Sequence, residues 1–237
     1  MLRRTLLAVL LLGAVTLAGC TAALPATPVA TSTPVATPLP APTGDGTLSI
    51  GTLFPMTGVN AASGAAQVAG AEVALRDILA GQATPAQPVQ LIHRNSAGDL
   101  AAAYADLAAR GVDLVLWDAT TALPTDAEGF VGNAAIVALS DFANGGTPLA
   151  ADEAFTARLT TADPGIAATA GGAEAYDGVM TAALAAAITG DDGGASIEAG
   201  WPQVTAGSAV CTSWAECALA LTEKEIIDYQ GITGRRS

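Results

Sequence analysis

Basic residues are scarce in this 237-residue chain, where nine lysines and arginines face 22 aspartates and glutamates and Lys224 is the only lysine. With a net charge of −13 there is little to hold a phosphate backbone, which argues against nucleic acid as a partner. The same charge repels anionic lipid, so any hold on a membrane has to come from a hydrophobic anchor and not from a basic face. Histidine occurs once, as His93, and cysteine three times. His93 is far in sequence from Cys211 and Cys217, and no further cysteine completes a ligand set, so no metal site is expected. Enzyme signatures are missing as well. The sequence contains no nucleophile elbow, no phosphate loop and no metal-binding helix. Its glycine clusters, GGTPLA, TAGGAEA and GDDGGAS, follow no strand at a fingerprint spacing and read as loop punctuation. No catalytic residue and no cofactor are therefore expected.

What is present begins with an export signal. MLRRTLLAVLLLGAVTLAGC places Arg3 and Arg4 ahead of an uncharged apolar stretch from Leu6 to Leu17, then small residues before Cys20. The apolar core is shorter than the ~20 residues that span a bilayer. Its ending, Leu17-Ala18-Gly19-Cys20, resembles the bacterial lipoprotein signal, which implies cleavage, lipidation of Cys20 and an extracytoplasmic location anchored to the cell membrane. A cleaved secretory peptide without lipid is the alternative. Removal of Arg3 and Arg4 takes the charge from −13 to −15. Residues 21–46, TAALPATPVATSTPVATPLPAPTGDG, repeat TPVAT and cannot bury a core. Proline favours extended polyproline II geometry, so about 22 such residues reach up to ~70 Å, and the segment reads as a disordered tether.

Residues 47–237 form the α/β part. TLSIGTLF reads as a strand, followed by a helix whose Val68, Ala71, Leu75 and Ile78 recur at helical spacing. PVQLIHR is a second strand, with His93 near its end. Asp99 caps a second helix, in which Leu100, Tyr104 and Leu107 share a face and which stops at Gly111. VDLVLW is a third strand, apolar throughout as expected of one covered on both sides. Strands and helices in this order predict a parallel sheet with flanking helices and right-handed crossovers. Ligands of such sheets sit beyond the carboxyl ends of the strands, here Pro55 to Ser63, Asn95 to Asp99 and Asp118 to Thr121. Farther on, VCTSWAECALAL holds Cys211 and Cys217, outside the membrane, with Ser213 as cap of a helix; the spacing permits a disulfide that closes a short loop.

These words, in this order, resemble type I periplasmic binding proteins, specifically the substrate-binding lipoproteins of branched-chain amino acid ABC transporters. The likeness rests on Pro55, Thr57, Gly58, Gly64, Gly70, Ala71 and Ala74, on NSAGDLAAAYADLAARGVDLVL, on AYDGVMTAALAAAI, and on a cysteine pair before IDYQGITG. The resemblance implies two lobes joined by a hinge, but only 58 residues separate Trp117 from Tyr176, so the second lobe is expected to be largely missing or reduced. It further implies that a small polar solute, such as an amino acid, is clamped without covalent chemistry and passed to a membrane permease. Carried over by position, Thr57, Asn60 and Ser63 come from the first turn, and Thr120 and Thr121 from the third-strand turn. Asp141 is the nominated acid for an ammonium group. Turn formation and helix capping are the competing roles for Thr57, Ser63, Asp99 and Asp141. Asp118 stands where the family has a turn rich in glycine and serine and would repel a carboxylate there; Asn95 stands where relatives often have aspartate. Tyr176 and Asp177 read as packing and hinge residues. The alternative to solute binding is an envelope lipoprotein, sensory or scaffolding, that keeps the sheet and has lost the clamp.

Overall fold

The computed structural model describes residues 38–81, 88–120, 122–123, 134–143, 147–149 and 152–235. The leader, Cys20, most of the tether and Thr121 lie outside the described residues. Strand β1 (Leu48–Phe54) is buried at every position, because it has a partner on each side and helices on each face. Its neighbours are β2 (Val89–Asn95) and β3 (Leu114–Trp117), and β4 (Ala135–Ala138) completes the order β2-β1-β3-β4, with every pair parallel. The parallel sheet expected from the strand and helix order is therefore present, with one further strand.

Side chains alternate across β1, as a strand requires. Leu48, Ile50 and Phe54 enter the larger core beneath α1 (Ala61–Ala80). Leu53 enters a smaller core on the other face, with Leu100, Tyr104 and Leu107 of α2 (Leu100–Ala109) and Val115 of β3. Asp99 caps α2 by accepting from Ala102 N at 3.0 Å. The buried face of α1 is wider than the expected stripe: Ala66, Ala69, Ala71, Val73, Ala74 and Ile78 are buried, whereas Val68 and Leu75 are only partly so.

The cause is a second helix lying along it. After α3 (Glu153–Ala162), helix α4 (Gly172–Thr189) is buried from Gly172 through Ala186. It packs on α1 so closely that a Cβ at Gly70 would stand 2.0 Å from the carbonyl oxygen of Gly172. Only hydrogen fits there. A polar cluster ties the three helices together at this level. Tyr176 OH donates to Asp77 Oδ2 at 2.6 Å, and Arg158 donates to the same oxygen at 2.5 Å while its guanidinium lies 5.5 Å from the Tyr176 ring centre.

Beyond α5 (Gly194–Gly200) and a short 3-10 turn, a second sheet forms from β5 (Ala209–Cys211), β6 (Ile227–Gly231) and β7 (Gly234–Arg235). Helix α6 (Trp214–Thr222) connects β5 to its parallel neighbour β6, and Ser213 caps that helix by accepting from Glu216 N at 3.3 Å. The sulfurs of Cys211 and Cys217 are 2.01 Å apart, a disulfide that closes the turn between β5 and α6. Asp177 of α4 holds the β6–β7 turn. Its buried carboxylate accepts from Tyr229 OH, Ile232 N, Thr233 N and Thr233 Oγ1. Tyr176 and Asp177 are thus both structural, each joining α4 to a different part of the chain.

Candidate functional site

A parallel sheet brings the carboxyl ends of its strands to one edge, and the register makes those of β1, β2 and β3 level: Phe54 pairs with Asn95, and Leu53 with Trp117. The ladder runs one residue further on each side, with Ser96 N donating to Phe54 O at 2.9 Å and Asp118 N to Leu53 O at 3.3 Å. The three turns that follow surround a pocket of about 290 Å³, lined by Thr57, Gly58, Asn60, Ser96 and Thr120 together with Pro55, Val59 and Ala97.

Asn95 fixes two of these turns relative to each other. Its side-chain oxygen accepts from Met56 N at 2.9 Å and from Ala97 N at 3.1 Å, while its amide nitrogen donates to Thr57 Oγ1 at 2.8 Å. Both halves of the amide are used, and an aspartate could keep the third contact only by accepting from the Thr57 hydroxyl. Gly58 turns the chain between β1 and α1 at φ +80°, a conformation that glycine adopts without strain.

Asp118 lies behind the pocket wall. Only 8% of it is exposed, and its Oδ2 accepts from Thr120 Oγ1 at 2.5 Å. Ser96, 2% exposed, is its neighbour, with its hydroxyl directed to the Asp118 carboxyl. Burial pushes the Asp118 carboxyl above its ordinary pKa, with the hydrogen bonds from Thr120 and Ser96 opposing the rise. Between the two residues, Ala119 holds φ at +62°, left-handed backbone that is uncommon outside glycine.

Of the candidate binding residues, Thr57, Asn60 and Thr120 line this one pocket. Ser63 does not; its hydroxyl donates to Ala170 O at 3.2 Å, in the segment leading to α4. Asp141 is exposed on the 3-10 turn (Leu139–Phe142) that follows β4, one strand farther along the same edge and off the pocket lining. Asn95, Ser96 and Asp118 were not among the candidate binding residues. Their position at strand tips pointed to all three, and the resemblance had singled out Asn95 and Asp118 as departures.

His93 faces the other way, into the groove between β2 and α1. Its Nδ1 is 2.7 Å from Thr52 Oγ1 and its Nε2 is 3.2 Å from Glu72 Oε1. With Glu72 accepting, Nε2 is the donor of that contact, and Nδ1 pairs with the buried Thr52 hydroxyl. Glu72, Arg76, His93, Met56, Val68 and Asp163 are among the residues that border a second pocket there, of about 450 Å³. Among the described residues, no group of three or more histidines, cysteines or acids is placed to hold a metal ion, and no helix is long and apolar enough to cross a membrane. No protein-family model and no curated protein matches this chain.

Proposed function

We propose that this protein is an extracytoplasmic, lipid-anchored solute-binding protein of an ABC transporter, one that holds a small polar solute such as an amino acid and delivers it to a membrane permease. The observation that carries the reading is the pocket at the sheet edge, where turns from three adjacent parallel strands converge with uncharged hydrogen-bonding side chains. Its position is the one where open α/β sheets bind ligands. Its volume lies at the low end for a small-molecule site and suits a compact solute. The lipoprotein-like ending at Cys20 and the proline-rich tether support delivery at a membrane surface.

Binding by hydrogen bonds alone needs no group that changes covalently, in keeping with a carrier. The test is thermal unfolding of the full chain against a panel of amino acids, amines, carboxylates and sugars. A ligand selective for the folded state raises the melting temperature by mass action, by about 2.7 kcal/mol of stability at one hundred times its Kd. A flat response over the whole panel would overturn the reading in favour of an envelope lipoprotein that does not bind solutes.

A further inference from the structure

At the amino edge of the first sheet, opposite the strand-tip pocket, two carboxylates hold the last residues before β1. Thr43 N donates to Asp191 Oδ2 at 3.2 Å, Gly44 N to Asp191 Oδ1 at 3.0 Å, and Gly46 N to Asp192 Oδ1 at 3.3 Å. Asp191 and Asp192 form the turn between α4 and α5, and both are buried. The fit is close, since a Cβ at Gly44 would stand 1.7 Å from Asp192 Oδ1. Residues 43–46 end the stretch whose composition reads as a tether, yet they are fastened to the domain. Two more acids share this edge. Asp45 lies between the latched glycines, its Oδ1 accepting from Thr47 N at 2.9 Å, and Asp113, at the entry to β3, accepts from Ser49 N at 2.8 Å. The other ionisable groups near this end are Glu198 of α5, which is exposed, and Arg110, just past α2, which donates to Asp106 at 2.7 Å.

We propose that residues 43–46 form a strap whose hold depends on the charge of this edge, closed in mildly acid medium and loosened toward neutral pH. The four aspartates supply both the grip and the force against it. For Asp191, burial is outweighed by hydrogen bonds from Ser196, Gly44, Thr43 and Gly193, so its carboxyl lies below the ordinary value and keeps its grip in mild acid. For Asp113, burial first and then the charges of Asp192, Asp45 and Asp191 push the carboxyl up to about 6, against the hydrogen bond from Ser49. Protonated, Asp113 repels none of its neighbours. Ionised, it repels Asp45 on the strap. Opening carries Asp45 away and lowers the proton affinity of Asp113, so by linkage opening is favoured as pH rises through about 6. The strap goes beyond the solute-binding reading and does not depend on it. On the lipid-anchor reading, release adds four residues to the tether, up to ~14 Å of reach.

The experiment is hydrogen exchange of the full chain, followed at the amides of Thr43, Gly44 and Gly46 from pH 5 to pH 7 and corrected for the intrinsic rate at each pH. Protection is expected to fall at least about threefold over that range, and added salt, which screens the repulsion, to recover part of it at pH 7. Asp113→Asn keeps an acceptor for Ser49 without the charge, and its protection is expected to stay level with pH. Asp45→Asn, at an exposed position, removes the charge on the strap itself; it should raise protection at pH 7 and decides the matter if Asp113→Asn does not fold. Gly44→Ala, whose methyl meets Asp192, should abolish protection of the three amides at either pH while β1 exchanges as before. Protection that is level with pH in the wild type, or that falls equally in the charge-removing variants, would overturn the control by charge. Amides that exchange as fast in the wild type at pH 5 as in Gly44→Ala would overturn the strap itself.

Discussion

Replacing Asp177 by alanine should loosen the second sheet from the helical core, and the size of the effect follows from its partners. The carboxylate is 1% exposed and accepts from Tyr229 OH at 2.8 Å, Ile232 N at 3.0 Å, Thr233 N at 2.7 Å and Thr233 Oγ1 at 2.6 Å. Hydrogen bonds to a charged group contribute about 1.5–3 kcal/mol each, so a simple sum over four would rival the entire stability of a domain. Two effects reduce it. Burial pushes the Asp177 pKa up, which means the native state already carries a desolvation penalty that alanine removes. Ile232 and Thr233 are only half-buried, so water can replace the carboxylate at their amides. The Tyr229 hydroxyl, in a residue 3% exposed, has no such recourse. The expected loss is about 3 kcal/mol, equal to one or two charge-assisted bonds left unreplaced. Urea unfolding at neutral pH measures it, with Tyr229→Phe losing about 1 kcal/mol as the internal comparison. A loss below about 1 kcal/mol for Asp177→Ala would refute the reasoning, because it would mean that these contacts contribute no more than an ordinary surface bond.

Three further outcomes are expected. Gly70→Ala places a methyl 2.0 Å from the carbonyl oxygen of Gly172, so α1 and α4 must separate, with a loss of about 2 kcal/mol or more in denaturant unfolding; a neutral result would show that the helices slide apart freely. The Cys211→Ser/Cys217→Ser double variant opens a loop of sequence separation 6 and should lose about 2 kcal/mol by chain entropy, with added reductant reproducing the loss in the wild type and leaving the variant unaffected. Asp113, half-buried and facing the charges of Asp192, Asp45 and Asp191, has its carboxyl pushed up to about 6, chiefly by burial, while it accepts from Ser49 N at 2.8 Å. Its folded pKa lies above the ordinary value, so the native state holds an extra proton between the two, and this group's contribution to stability declines as pH rises from about 4 through 6. Asp113→Asn keeps an acceptor for Ser49 and should remove this group's share of the pH dependence of melting temperature between pH 4 and pH 6; an unchanged slope would remove Asp113 as its source.

The first half of the fold was legible because its signals are local. The strand TLSIGTLF is bounded by turn residues, Asp99 and Ser213 sit at the caps they were read as, and β1 and β2 are each followed by a patterned helix. Helix α4 is different. AYDGVMTAALAAAI is apolar or small almost all round, which announces burial but names no partner, and only the packing shows that it lies along α1 and widens that helix's buried face. The second sheet was missed for a related reason. The donors that meet Asp177 are 52 to 56 residues away, and nothing near Asp177 in sequence marks them. At the candidate site, topology alone placed Thr57, Asn60 and Thr120 at one edge. Ser63 sits in the first turn of α1 and is drawn off by the Ala170 carbonyl. The burial of Asp118 was out of reach, since an aspartate in a polar turn ordinarily faces water.

The bracket made by Asn95 has a consequence for how the pocket can move. Because one side chain binds the backbone of both the β1–α1 and the β2–α2 turns, those turns form a single preset jaw, and little ordering entropy would be left to lose there if a solute bound as proposed. The β3 turn has no share in that bracket. Under the proposed solute-binding function, adjustment to solutes of different length would fall to the short stretch around Ala119, and amino-acid changes there would retune selectivity while the other jaw stays fixed.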